Sequence, residues 1–340
     1  MRITIVTDAW EPQVNGVVRT LQSLRGQLER MGHQVGLVSP DRFTSVPCPT
    51  YGEIRLAIAG PGAVGRMIEA QRPDALHIST EGPLGLAARR WCLRNRRPFT
   101  TAYHTHFPEY VAARTGVPAA WTWRWLRWFH GPAAAVLAST PTVRRSLAAH
   151  GIAHVRPWGR GVDLALFGSR LRPPDVCRGL ARPIQLFVGR IAVEKNIEAF
   201  LATRHPGTRV VVGDGPARAA LARRYPDALF LGALSGERLA GAYRGADVFV
   251  FPSRTDTFGL VMIEALAAGT PVAAYPVPGP IDILTPEVSG LDDDLEVAIG
   301  KALGRDRDAC AAYARLFSWE ASARQFLDAL APIGRARDAA

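Results

Sequence analysis

Residues 248–275 read Val248-Phe-Val-Phe251-Pro-Ser-Arg-Thr-Asp256-Thr-Phe-Gly259-Leu-Val-Met-Ile-Glu264-Ala-Leu-Ala-Ala-Gly-Thr-Pro-Val272-Ala-Ala-Tyr275. An apolar β-forming run stops at Pro252, and a polar loop leads to Gly259. A helix-forming stretch follows, closed by Gly269-Thr-Pro271, and then a second apolar run begins. Strand, loop, helix and strand in so short a span make a βαβ unit, which places the two strands parallel in a sheet covered by helices.

The same alternation extends in both directions. Strand-like runs precede it at Ile184–Val188, Arg209–Val212 and Leu229–Leu231, and an earlier series occupies Ile3–Thr7, Gln34–Val38, Ala75–Ile78, Phe99–Tyr103 and Ala135–Ala138. A helix is expected over Val18–Arg30. Between the two series, Gly161–Pro174 is rich in Gly, Pro and Arg and reads as a linker. The expected fold is α/β: two Rossmann-like, doubly wound domains facing across a cleft. The first spans residues 1–163 and the second 164–316, and an amphipathic tail helix within 317–340 crosses back to the first. In such sheets ligands sit beyond the carboxyl ends of the strands, so the loops there carry the chemistry.

The 340 residues suffice for two cores, and a composition of 48% hydrophobic and 21% charged residues is that of a globular protein. No apolar run approaches the ~20 residues that cross a bilayer. The N-terminal strand meets Asp8, unlike an export signal. Cys48, Cys92, Cys177 and Cys310 lie far apart without C-x-x-C spacing, which argues against a zinc site or a disulfide framework and fits a reducing cytoplasm. The net charge of +11 is one-sided. Residues 1–160 hold 20 Arg and 9 Asp or Glu, whereas residues 161–340 hold 21 basic and 21 acidic groups. A bias towards Arg codons would enrich both halves, so the excess points to an electrostatic task for the first, against an anionic membrane surface or nucleic acid.

Two loops of the second half suit a nucleoside diphosphate. Val188-Gly-Arg190-Ile-Ala-Val-Glu-Lys195-Asn follows a strand, and its cations can hold phosphate oxygens by a guanidinium fork and a point charge. Lysine occurs only twice in the chain, at Lys195 and Lys301, so its presence here is selective. In the opening stretch Asp256 and Glu264 offer two carboxylates for vicinal hydroxyls, and Gly259 bares the helix-start amides. Asp8-Ala-Trp-Glu-Pro-Gln-Val-Asn-Gly16, after the first strand, can bring a Gly amide to an oxyanion or form an ordinary tight turn. Neither it nor Gly213-Asp-Gly-Pro216 is a G-x-G-x-x-G fingerprint, so dinucleotide redox chemistry has little support.

The Asp256–Glu264 stretch resembles the paired-acid signature (E-x7-E) of retaining glycosyltransferases with the two-domain B-type fold, in the large family 4 (group 1) class. Gly-Arg190 and Glu-Lys195-Asn resemble that family's phosphate loop. Asn15-Gly16-Val and Tyr103-His104-Thr-His106 fall where it places a glycine loop and an active-site histidine. Asp256 stands where most members have Glu, a variant that resembles the sulfolipid-synthase, glycolipid-forming and α-mannosyltransferase branch. The resemblance implies that Arg190 and Lys195 hold the diphosphate, assisted by the Gly16 amide. It implies that Asp256 and the backbone around Phe258, Gly259 and Leu260 bind the donor sugar, that Glu264 binds the ribose, and that His104 touches the sugar near the reacting carbon. It implies retention at the anomeric carbon with no metal or other cofactor. His104 and His106 at i, i+2 have no third ligand nearby, which argues against a metal there.

The acceptor is expected on the basic first half. Trp121-Thr-Trp123-Arg124-Trp125-Leu-Arg127-Trp128 places Trp121, Trp125 and Trp128 on one helix face and Arg124 and Arg127 on another, while Arg89, Arg90, Arg94, Arg96 and Arg97 form a second basic cluster. Trp with Arg suits a membrane interface, and a Trp stripe buried between helices is the plainer alternative. The expectation is a cytoplasmic enzyme peripherally associated with the inner face of the membrane, moving a hexose or hexuronic acid from a UDP-sugar to a lipid such as diacylglycerol. GDP-mannose-dependent mannosyl transfer is the nearest competitor. A sugar-nucleotide epimerase would not need the Trp-rich lobe, and a nucleic-acid module is disfavoured because the basic residues sit on helices without a groove-reading motif.

Overall fold

A computed structural model describes residues 1–13, 15–48, 51–104, 118–168, 177 and 179–333. The chain divides into a first unit, Met1–Gly159 with Trp319–Ala340, and a second, Arg160–Ser318.

In the first unit the strands are β1 (Arg2–Val6), β2 (Gln34–Val38), β3 (Ser45–Cys48), β4 (Tyr51–Ala57), β5 (Ala75–Ile78), β6 (Thr100–Tyr103), β7 (Val136–Ala138) and β8 (Val155–Pro157). Six form one parallel sheet in the order β2-β1-β5-β6-β7-β8, and β3 with β4 makes a separate antiparallel hairpin. Alternate residues of β1 face opposite sides. Ile3 and Ile5 pack with Leu21 and Leu24 of the Gly16–Arg30 helix and with Phe326 of the Trp319–Ala329 helix. Val6 joins Leu76, Ile78, Leu84 and Phe99 on the other side.

The second unit repeats the plan with β9 (Ile184–Val188), β10 (Thr208–Val212), β11 (Leu229–Gly232), β12 (Val248–Phe251), β13 (Val272–Ala274) and β14 (Ser289–Leu291), ordered β11-β10-β9-β12-β13-β14 and parallel throughout. All five residues of β9 are buried. Leu186 meets Met262 and Leu266 on one face, and Phe187 meets Phe200 and Ile299 on the other.

The units part at Gly159/Arg160 instead of at 163/164 because Val162 and Phe167 belong to the second core and the Val162 amide donates to Phe317 O at 3.2 Å. The stretch expected as a linker therefore begins inside the second unit; its later part, 169–174, lies outside the described residues. No helix among the described residues is long and apolar enough to cross a membrane.

Candidate active site

The chain runs outward from β9 to β11 on one side of the second sheet and from β12 to β14 on the other, so the reversal falls between β9 and β12. Loops that part at such a point leave a crevice at the carboxyl ends of the strands. They are the loops that carry Arg190 with Lys195 and Asp256 with Gly259.

Their conformation is fixed from behind. The Gly189 amide donates to Val212 O and the Ile191 amide to Asp214 O. A Cβ at Gly213 would lie 1.9 Å from Gly189 O, and one at Gly215 2.4 Å from Ile191 O. Gly213 and Gly215 are therefore small so that the Arg190 loop can rest on them. Asn196, in the left-handed region at φ 51°, donates from Nδ2 to Pro252 O at 3.1 Å and ties the two site loops together.

Within this frame Lys195 Nζ donates to both carboxylate oxygens of Asp256, at 2.6 and 2.9 Å. Arg190 is half-buried just beyond β9. Gly259 sits at φ 83° and starts the Leu260–Ala267 helix with no side-chain cap. Glu264, one turn inside, is 6% exposed and accepts from Tyr243 Oη at 2.9 Å. It is a buried, oriented carboxylate and not a solvated helix acid. Phe258 is 7% exposed and packs edge-on against Phe317, so only its backbone can serve a ligand. Leu260 is half-buried against the core.

In the first unit the sheet reverses between β1 and β5. Asp8, beyond β1, is 7% exposed and accepts from the Leu84 and Gly85 amides at 2.8 and 3.3 Å and from Thr80 Oγ1 at 2.8 Å. It is a built-in acceptor for the first amides of the Pro83–Arg94 helix. Burial pushes its carboxyl above the ordinary range, against the pull of those donors. At the Gly16–Arg30 helix, Asn15 Oδ1 caps the Val17 and Val18 amides, both at 3.0 Å. His104 follows β6, half-buried, with Nε2 3.0 Å from Ser79 Oγ and its ring edge-on to Trp158. His106 lies outside the described residues.

The family model for Glycosyltransferase Family 4 matches residues 14–166, and that for Glycosyl transferases group 1 matches residues 182–303. A GDP-mannose-dependent alpha-mannosyltransferase of Mycolicibacterium smegmatis is 33% identical over 320 residues, which cover 87% of this chain and 85% of the relative. The chain is a family 4 glycosyltransferase. A sulfoquinovosyl transferase of Arabidopsis thaliana is 31% identical across 82% of this glycosyltransferase and 60% of the relative. Among solved structures, a sucrose-phosphate synthase from Thermosynechococcus elongatus shares the fold at a TM-score of 0.76 and 23% identity, covering 96% of this chain and 97% of its own.

This glycosyltransferase uses a nucleotide sugar, and its second unit gathers Lys195, Asp256 and Glu264 around one sheet reversal. Gly16 and His104 belong to the first unit. Sequence reasoning missed Tyr243, Ser79 and Asn196. Of these only Asn196, inside the cationic loop, carried a local signal. Tyr243 reaches Glu264 from another helix and Ser79 reaches His104 from the end of another strand, just past β5.

The basic first half is also reordered. Arg89 is 6% exposed; it donates to Trp128 O and Phe129 O and stacks 3.9 Å above the Trp128 ring. It belongs to the packing and not to the surface cluster, which keeps Arg90, Arg94, Arg96 and Arg97. On the Ala119–His130 helix Trp123 is the buried ring, stacked on His150. Trp121 and Trp128 are 73% and 47% exposed, Trp125 is half-buried, and Arg124 and Arg127 face water.

Proposed function

We propose that this enzyme transfers a hexosyl group, with retention, from a nucleoside-diphosphate sugar to a hydroxyl of a membrane lipid. The observation that carries the reading is the cationic pair Arg190 and Lys195 at the second sheet's reversal, with Lys195 held 2.6 Å from Asp256. When the bond from C1 to the diphosphate breaks, its electron pair passes to a phosphate oxygen. Fixed cations lower the energy of that charge most in the transition state. The acceptor oxygen attacks C1 on the face from which the diphosphate leaves, and the departing phosphate takes its proton. Arg190 and Lys195 perform the neutralisation, and no metal is required. Asp256 and the amides at Gly259 and Leu260 receive the sugar, Glu264 the ribose, and His104 approaches the sugar near C1, while the Gly16 amide, left by the Asn15 cap, meets the diphosphate.

The donor we favour is GDP-mannose. Three relatives, from Mycolicibacterium smegmatis, Mycobacterium tuberculosis and Corynebacterium glutamicum, are GDP-mannose-dependent mannosyltransferases at 31–34% identity. UDP-glucose or UDP-glucuronate is the second reading, supported by an alpha-monoglucosyldiacylglycerol synthase from Streptococcus pneumoniae at 27% identity. A lipid acceptor is supported by that relative's name and by the exposed tryptophans among arginines. Calorimetry with GDP, UDP and their sugar conjugates tests the donor site. Saturable binding of guanosine or uridine diphosphate is expected, and no heat with any of them would overturn the proposal.

A further inference from the structure

Ser79, one residue past β5, carries a hydroxyl and yet is 0% exposed. Its main chain is held by β1, because its amide donates to Val6 O at 2.8 Å. The next residue is held too. Thr80 Oγ1 donates to Asp8 Oδ2 at 2.8 Å, and a Cβ at Gly85 would come within 1.9 Å of Thr80 O, so the Pro83–Arg94 helix packs directly on this turn. From that fixed base the Ser79 hydroxyl lies 3.0 Å from His104 Nε2, its one side-chain hydrogen-bond partner among the described residues.

The contact has a direction. Inside a protein a stranded donor is rarer and costlier than an acceptor lone pair left unused. A hydroxyl sealed from water with a single neighbour therefore donates to it. Nε2 accepts, and the proton of the neutral imidazole sits on Nδ1. Trp158 supplies a second constraint. Its ring lies edge-on to His104 at a centroid separation of 5.5 Å, and it is itself fully buried against Phe326 at 5.4 Å and His77 at 5.9 Å. A half-turn of the His104 ring would put a carbon where Nε2 stands and strand the Ser79 hydroxyl.

We infer that Ser79 is a positioning residue of the transfer: it holds His104 in the Nδ1–H tautomer, so that the imidazole serves the sugar as a hydrogen-bond donor and not as a base. The inference rests on the reading above that His104 approaches the sugar near C1, and it deepens that reading. In the front-face reaction the departing phosphate takes the acceptor's proton, so a base beside the sugar has no proton to receive. A fixed N–H has a use there, because it can hold a sugar hydroxyl oxygen still while the bond at C1 breaks.

The first test reads the proton itself. Long-range 1H–15N correlation on the full chain with 15N-labelled histidine, at about pH 8 where an ordinary imidazole is neutral, reports which ring nitrogen is protonated. The His104 signals are those lost in His104→Gln. A protonated Nδ1 and a bare Nε2 are expected, and a proton on Nε2 would overturn the inference. Ser79→Ala should turn the single tautomer into a mixture; a tautomer unmoved by that change would remove Ser79 from the role. The second test is transfer from GDP-mannose or UDP-glucose to dihexanoylglycerol. Ser79→Ala is expected to lower kcat about tenfold while the donor KM and the affinity for free GDP or UDP stay within about twofold. An undiminished kcat, or an equal loss of diphosphate affinity, would show a residue that does not act through His104. Absence of transfer with the Nδ1–H tautomer in place would sink the proposed function alone, and transfer with the proton on Nε2 would sink this inference alone.

Discussion

With 26% and 24% of their side chains exposed, Lys195 and Asp256 sit too deep for water to screen their attraction fully, so a diphosphate bound as proposed would compete with a carboxylate for the ammonium. Lys195→Ala is expected to lower turnover by roughly 10²–10³ while leaving the circular dichroism spectrum unchanged, since the charge it removes acts mainly in the transition state. Asp256→Asn removes the competitor. Free nucleoside diphosphate should then bind as tightly as in the wild type or up to about threefold tighter, while turnover of the sugar donor falls by roughly 10². Calorimetry beside steady-state kinetics checks this, and matching losses in both would refute the assignment of Asp256 to the sugar. Tyr243→Phe frees Glu264 from its hydroxyl partner. The donor KM should rise about fivefold with kcat nearly unchanged, and the preference for ribose over 2′-deoxyribose donors should shrink. A purely structural Tyr243 would raise KM equally for both donors. The carboxylates and cations were legible in the sequence because charged residues in a strand-end loop stand out. Their mutual pairing and the tyrosine behind Glu264 were not, because both depend on contacts between distant segments.

At the scale of elements, the Asp8 cap shows how the first unit fixes its site loops. Asp8→Ala would strand the Leu84 amide and the Thr80 hydroxyl in the interior, at an expected cost of about 2–3 kcal/mol. Asp8→Asn keeps an acceptor for that amide without a charge to desolvate. Because burial raises the Asp8 carboxyl above 3.8, the fold holds this proton more tightly than the unfolded chain does. The site's contribution is therefore full below 3.8 and is lost as pH rises through the folded value. Across that rise the wild type should lose stability relative to Asp8→Asn; urea unfolding at a series of pH values reads this gap, and a constant gap would contradict it. Long apolar strands were legible: Gln34–Val38, Ala75–Ile78, Ile184–Val188 and Val248–Phe251 have the expected bounds. The β3–β4 hairpin and the three-residue strands β8 and β14 were not. β8 ends on Pro157 and has no fully buried residue, and Ser289-Gly-Leu291 offers too little apolar pattern to register.

Considered as a whole, the charge asymmetry survives folding, because Arg90, Arg94, Arg96, Arg97, Arg124 and Arg127 all reach water, as do Trp121 and Trp128. Binding to vesicles containing anionic lipid should be strong at low salt and weaken steeply towards 0.5 M salt, where the Debye length is about 4–5 Å. Pelleting that ignores both salt and lipid charge would exclude an electrostatic role, and Trp121→Ala with Trp128→Ala should weaken what salt leaves. The return of the Trp319–Ala329 helix to the first sheet has a consequence for biosynthesis. Ala323 and Phe326 cover Ile3, Ile5, Leu21 and Trp158, residues translated long before them. Ile3, Ile5 and Leu21 therefore wait for that cover while the ribosome makes the intervening lobe, and the first unit can close only after the second has been translated.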